Sequence, residues 1–278
     1  MYEYVKLGRK FMTFCTFFMY SGGISYHTVM PFFLNVSPMI GNKTRRPHIY
    51  FGYDSVFDSQ ATPTYEIVFF VHLVGSIITY TLAVAACSLA ALFASHICGQ
   101  VDILNTLLYD LVSDTNQSSK KLLDRQIAVI IKSHVRILRF AEMIEQMLRE
   151  ICLVEVLAST LIICLLEYYF LMEWTNSETI VLVTYIVLII SLSCNMFIFC
   201  YIGEILQEQC ASIGQSTYMI KWYQLNGKAG LSLMLVIAMA NYPLKITAGG
   251  LMDLNIRSFG SIIKTSVVYL NMLRTVTD

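Results

Sequence analysis

The sequence predicts an all-α, polytopic helical membrane protein, and three observations carry that prediction. First, three long stretches hold no Asp, Glu, Lys or Arg: those between Lys10 and Lys43, Glu66 and Asp102, and Glu178 and Glu204. Each exceeds the ~20 residues that a helix needs to cross a ~30 Å hydrocarbon core. Second, 56% of the residues are hydrophobic and only 14% charged, with a mean hydropathy of +0.61. A soluble chain of this length carries more charge and more amphipathic periodicity. Third, Ala229–Asp278 reads as an apolar helix, a break at Asn241-Tyr-Pro243 and a second helix. Proline removes a helix N–H and clashes with the preceding turn, so the final span is broken at Pro243. Five spans are visible. They divide the chain into residues 1–98 (two spans with an outer loop at 35–65), a cytoplasmic helical segment 99–151, two spans in 152–203, a cytoplasmic helical extension 204–228, and the broken final span 229–278.

In chain order, Met1–Lys10 carries Lys6, Arg9 and Lys10 and is expected in the cytoplasm. The first span runs from about Phe11 to Leu34; it is long enough to cross and has no cleavage-like end, so it is not a signal peptide. Its outer half, Tyr20-Ser-Gly-Gly-Ile-Ser-Tyr26-His27, is rich in small and polar groups. Two readings stand: close helix packing at Gly22 and Gly23, or a gap floored by Tyr20 and Tyr26 that a small ligand fills. The following loop holds the sequons Asn35-Val-Ser37 and Asn42-Lys-Thr44, and Asn42 is the better glycosylation candidate if the loop is extracellular. The second span starts after Pro63-Thr-Tyr-Glu66 and continues to about Ile97. At 1.5 Å per residue that is about 46 Å, longer than the bilayer core, so it is expected to project into the cytoplasm. His72 and His96 are lone histidines with no neighbouring cluster to make a zinc site; no metal and no cofactor are expected.

From about Arg125 the pattern turns helical, with an apolar stripe of Ile127, Ile130/Ile131, Val135, Leu138, Ala141, Ile144, Leu148 and Ile151. That helix runs straight into the third span, about Cys152–Leu171, so it is expected to pack on the projecting end of the second. Glu155 and Glu167 lie near the two ends of the third span, within reach of interface water. The fourth span, about Thr179–Gly203, leads into a polar helical extension reaching Tyr218. The last three to four helices are thus extended into the cytoplasm. The eight cysteines lie in or near spans and extensions, and read as small buried hydrophobes rather than a disulfide framework. In the last helix Ser258, Ser261, Thr265, Val268, Met272 and Thr275/Val276 recur at three- and four-residue steps and share a face. Lipid cannot satisfy hydroxyls, so this stripe turns to protein or to water; helix packing and pore lining both remain open.

Lys and Arg set the orientation. Twelve lie in the amino terminus and the Gly99–Arg149 and Gly203–Leu231 segments, and four in the remaining loops and carboxyl terminus. The positive-inside rule puts the amino terminus in the cytoplasm and Asp278 outside. The net charge of zero gives no reason to expect nucleic acid as a partner. No G-x-S-x-G, H-E-x-x-H, P-loop or G-x-G-x-x-G motif is present, so no catalytic residue is named and the chain is not read as an enzyme. A transporter would show internal repeats and charges at mid-membrane depth, and neither is visible.

Pro243-x-x-x-Thr247-Ala-Gly249, Ser258-Phe259 and Lys264-Thr-Ser-Val-Val-Tyr269-Leu-Asn-Met-Leu-Arg274 resemble the carboxyl-terminal signature of insect odorant receptors. Tyr201-Ile-Gly-Glu204 and Tyr218-x-x-x-Trp222-Tyr223 are similar to an upstream segment of that family. The resemblance implies seven spans, the first two absent from this sequence, so that Met1 is expected to be a fragment start or a truncated gene boundary. It also implies a ligand-specific subunit of an odorant-gated, non-selective cation channel in the plasma membrane. The expected partner is a co-receptor subunit in a hetero-tetramer, with no G protein required. The last helix then surrounds the pore, with Met272 and Val276 at the gate and Thr275 between them. A cavity lined by uncharged and aromatic outer halves suits a small volatile apolar ligand held by burial and dispersion. Its expected contacts are Tyr20, Ser21, Tyr26, Phe70, Leu73, Ile77, Tyr80 and Tyr185. A gustatory-type receptor of the same superfamily is the alternative, and the Leu273-Arg274 ending favours the odorant branch.

Overall fold

The computed structural model describes residues 2–33, 62–113, 120–174, 179–220, 222–225, 227–242 and 245–277. They form helices α1 (Tyr2–Phe33), α2 (Thr64–Ser113), α3 (Lys120–Glu173), α4 (Thr179–Met219), α5 (Gly227–Ala240) and α6 (Ile256–Thr277), with a 3-10 turn at Trp222–Gln224. Two short antiparallel strands, β1 (Thr247–Ala248) and β2 (Met252–Asp253), lie between α5 and α6. Asn42, most of the 35–65 loop and Pro243 lie outside the described residues.

Three helices are long and apolar enough to cross a membrane: Thr64–Leu111, Lys121–Met172 and Thr179–Met219. At 1.5 Å per residue each runs about 60 Å or more, roughly twice the hydrocarbon core. Each of the three is thus long enough to extend beyond the core, as expected of the second span. α1 already begins at Tyr2, so the basic segment before Phe11 is its first turns and not a separate tail.

The chain forms two compact units. One comprises Met1–Phe11, Ser88–Val154 and Ile198–Phe259; the other comprises Met12–Cys87, Glu155–Phe197 and Gly260–Asp278. In the first unit α2 buries Ile97, Val101, Leu104, Leu108 and Leu111, and α3 buries Leu123, Ile127, Ile130, His134, Ile137, Ala141, Ile144 and Leu148. Both rows step by three and four residues, the spacing of helices packed side by side. The α3 stripe differs from the one expected. Val135 is 39% exposed and Ile151 41%; His134 and Ile137 are buried in place of Val135 and Leu138, and Cys152 in place of Ile151. Helical position decided this over apolarity; burial holds the His134 imidazole pKa below its ordinary value, so it stays neutral in an apolar row. Phe140 of α3 meets Phe93 and His96 of α2 edge-on, which gives His96 a packing role.

In the second unit Leu166, Val181 and Tyr185 form a buried cluster against which Tyr26, Phe170, Leu188, Ile189 and Leu192 pack. All eight cysteines are free thiols and seven of them are buried, as the composition implied.

Candidate ligand contacts, hinge and final helix

The eight residues expected to touch ligand all fall in the second unit, but in different settings. Tyr26 and Tyr185 belong to one apolar cluster. The Tyr20 hydroxyl lies 2.7 Å from that of Thr81, which itself donates to the Ile77 carbonyl at 2.7 Å. A hydroxyl has one proton, so Tyr20 is the donor of that pair. Ser21 donates to the Phe18 carbonyl at 3.1 Å. Phe70 and Ile77 are exposed and Leu73 is half-buried. Tyr80 lies over Gly23: a Cβ there would come within 2.2 Å of the Tyr80 ring. Gly22 abuts Ser191, whose hydroxyl donates to the Phe18 carbonyl at 2.7 Å. Both glycines therefore serve close helix approach, the first of the two readings open from the sequence.

Sequence reasoning missed the polar interior of this unit. Cys15 of α1 donates to Asn195 Oδ1 of α4 (3.1 Å), and Asn195 Nδ2 donates to Glu155 Oε1 of α3 (2.6 Å). Ser159 stands 3.4 Å from the same carboxylate oxygen. Glu155 is thus hydrogen-bonded by Asn195 of α4 and Ser159 of its own helix, with Cys15 of α1 joined through Asn195. Similarly, Glu167 lies 3.4 Å from Ser266, which is fully buried on α6. The signal available in advance was the coincidence of Asn195 and Glu155 within otherwise apolar spans.

The first unit holds a hinge where the sequence showed only a helix break. Gly249 and Gly250 adopt φ of 62° and 70°, the left-handed region where a side chain is strained, and so close the β1–β2 turn. A Cβ on Gly249 would also stand 2.8 Å from Leu153. Thr247 donates to Glu145 Oε1 at 2.6 Å, and the Gly249 N–H donates to the Arg149 carbonyl at 3.0 Å. Arg149 forks onto both oxygens of Glu145, at 3.0 and 2.7 Å. On the other side Gly203 of α4 packs so closely that its Cβ would lie 2.2 Å from the Leu254 carbonyl oxygen. Glu204 accepts the Ile256 N–H at 3.1 Å, and Asn255 caps α6 by accepting the Ser258 N–H at 2.8 Å. Gly203 and Glu204 of α4, with Glu145 and Arg149 of α3, therefore grip the segment that leads into α6 as one clamp.

Arg149 first, and Thr247 further, hold the Glu145 carboxyl below the usual carboxylate range. A lowered folded-state pKa stabilises above the unfolded value of about 4.3 and is lost as pH falls through the folded value. We expect the melting temperature of the purified protein to fall on acidification below about pH 4. Glu145→Gln should flatten that part of the profile while lowering stability at pH 7. An unchanged acid limb in Glu145→Gln would rule the clamp out as its source.

α6 buries Ile262 and Ser266 and leaves Val268 and Met272 55% and 64% exposed. Ser261 and Thr275 are also exposed, and Ser258 and Thr265 half-buried. The hydroxyls of Thr265 and Thr275 are returned to backbone carbonyls of their own helix. The backbone of Val276 continues this helix, and its side chain lies outside the described ones.

The family model described as "7tm Odorant receptor" matches residues 1–267. The chain belongs to the 7tm odorant receptor family. Odorant receptor 10 of Aedes albopictus is 25% identical over 226 residues, and odorant receptor Or2 of Anopheles gambiae 26% over 231; each alignment covers 79% of this chain. The chain spans 58% of the length of these two curated relatives. The olfactory receptor OR5 of Machilis hrabei, solved in complex with eugenol, superposes with a TM-score of 0.69 at 18% identity. It covers 99% of this chain and 70% of the other, and the likeness is one of fold. With this membership the chain is a multi-pass helical membrane protein.

Proposed function

We propose that this chain is the odorant-binding subunit of a heteromeric, ligand-gated, non-selective cation channel formed with a co-receptor subunit. The observation that carries the proposal is α6. It is capped, clamped at its start, buried at Ile262 and Ser266, and exposed at Ser261, Val268, Met272 and Thr275. That division is what a helix needs to pack on its own subunit and face a shared aqueous axis. Rings of Met272 and Val276 side chains would close such a path by dewetting, with Thr275 between them. The ligand lies among the outer halves of α1, α2 and α4, near Tyr20, Ser21, Tyr26, Phe70, Leu73, Ile77, Tyr80 and Tyr185. It opens the channel by binding the open arrangement more tightly than the closed one. The amino terminus is cytoplasmic and Asp278 extracellular, in the plasma membrane of olfactory neurons. The Asn42 sequon is then on the outer side.

The test is electrical. In cells expressing the complete receptor with its co-receptor, odorants should evoke cation current that G-protein block leaves intact. Met272→Ser should raise resting current several-fold, because a polar constriction stays wet. Unchanged resting and evoked currents in Met272→Ser would remove α6 from the conduction path.

A further inference from the structure

His27 of α1 is only 5% exposed. Its Nε2 lies 3.4 Å from the Tyr80 hydroxyl, and its Nδ1 is buried with no hydrogen-bond partner among the described residues. Buried polar atoms left this way are uncommon, because burial strips the water that satisfied them. Two aromatic rings stand close to it: Tyr26 edge-on at 5.6 Å and Tyr80 at 6.1 Å, the latter also lying against Gly23. Gly23 is what lets that ring approach so closely, and a turn of Tyr80 about its own side-chain bonds would clear a space beside His27.

We propose that His27 is the polar anchor of the ligand site, and that the favoured ligands are small apolar molecules bearing one hydroxyl. The inference rests on the reading that α1 and α2 hold the odorant. A neutral imidazole has one donor and one acceptor nitrogen. Whichever way the Tyr80 contact runs, Nδ1 takes the opposite role. A hydroxyl donates and accepts, so an alcohol pairs with either tautomer while its carbon skeleton packs on Tyr26 and Tyr80. An alkane of the same length fills the space and leaves Nδ1 unpaired, and a site built to hydrogen-bond a hydroxyl discriminates against the analogue that lacks it.

The experiment measures concentration–response curves for a matched alkanol and alkane on the complete receptor with its co-receptor, at equal surface level. Wild type should respond to the alkanol at roughly tenfold lower concentration. His27→Phe should erase that advantage without weakening the alkane response. His27→Gln, which keeps a donor and an acceptor, should retain most of it. Should His27→Phe fail to reach the surface, the His27→Gln curve and alkanol-against-alkane thermal shifts of the purified wild type decide. An alkanol advantage that survives in His27→Phe, or equal potencies in wild type, overturns the anchor and leaves the channel reading standing. Absence of any odorant-evoked current in wild type instead sinks the channel reading, and the anchor falls with it.

Discussion

Gly203→Ala is expected to abolish most folded protein at the cell surface. The added methyl would sit 2.2 Å from the Leu254 carbonyl oxygen, a backbone atom in the hinge. No rotamer change relieves contact with backbone, so the helix or the hinge must shift. Forced overpacking of this kind costs about 1–3 kcal/mol or more. Here the shift also strains the Glu204 to Ile256 bond that seats α6. Gly227→Ala and Gly260→Ala are the controls, since a Cβ at either position meets nothing within 4 Å. Size-exclusion profiles and melting temperatures of the three variants check this. A Gly203→Ala protein as stable as the two controls would mean that the α4–hinge approach is looser than described.

Asn195→Leu should be the most damaging single change in the other unit. Asn195 is 1% exposed and joins Cys15 to Glu155. Leucine removes the 2.6 Å bond to the carboxylate and leaves it with Ser159 at 3.4 Å. Breaking a buried charged or polar pair by deleting one partner costs about 3–5 kcal/mol in soluble proteins, and interhelical bonds in membranes are worth about 0.6–2 kcal/mol. A loss of about 2–3 kcal/mol is therefore expected, read as a large fall in melting temperature in detergent. The double change Asn195→Leu with Glu155→Leu should recover part of it, because an apolar pair needs no partner. Equal or greater loss in the double variant would show that the two residues act independently.

Much of the architecture was legible in the residues themselves. Uncharged runs long enough for a bilayer mark the spans between Glu66 and Asp102 and between Glu178 and Glu204, and the described helices cover both. The continuation of α2 past Ile97 follows from a helix having nothing to stop it before Ser113. The α3 stripe was legible only approximately. Val135 looks more like core than His134, yet the three-and-four stepping of the helix, not the side chain's polarity, chose the buried position. The candidate ligand contacts were legible as a class of outer-half aromatics. Which of them meet each other was not.

The sequence by itself determined that the chain is helical, polytopic and broken before its last helix. Those properties depend on length, hydropathy and proline, which act locally along the chain. Tertiary structure alone decided that Glu155 answers to Asn195, 40 residues away. It also decided that Thr247 closes on Glu145, 102 residues away. Only there did His27 prove to keep a nitrogen with no hydrogen-bond partner among the described residues. A polar side chain's role depends on which distant atoms share its low-dielectric surroundings, and no local pattern encodes that.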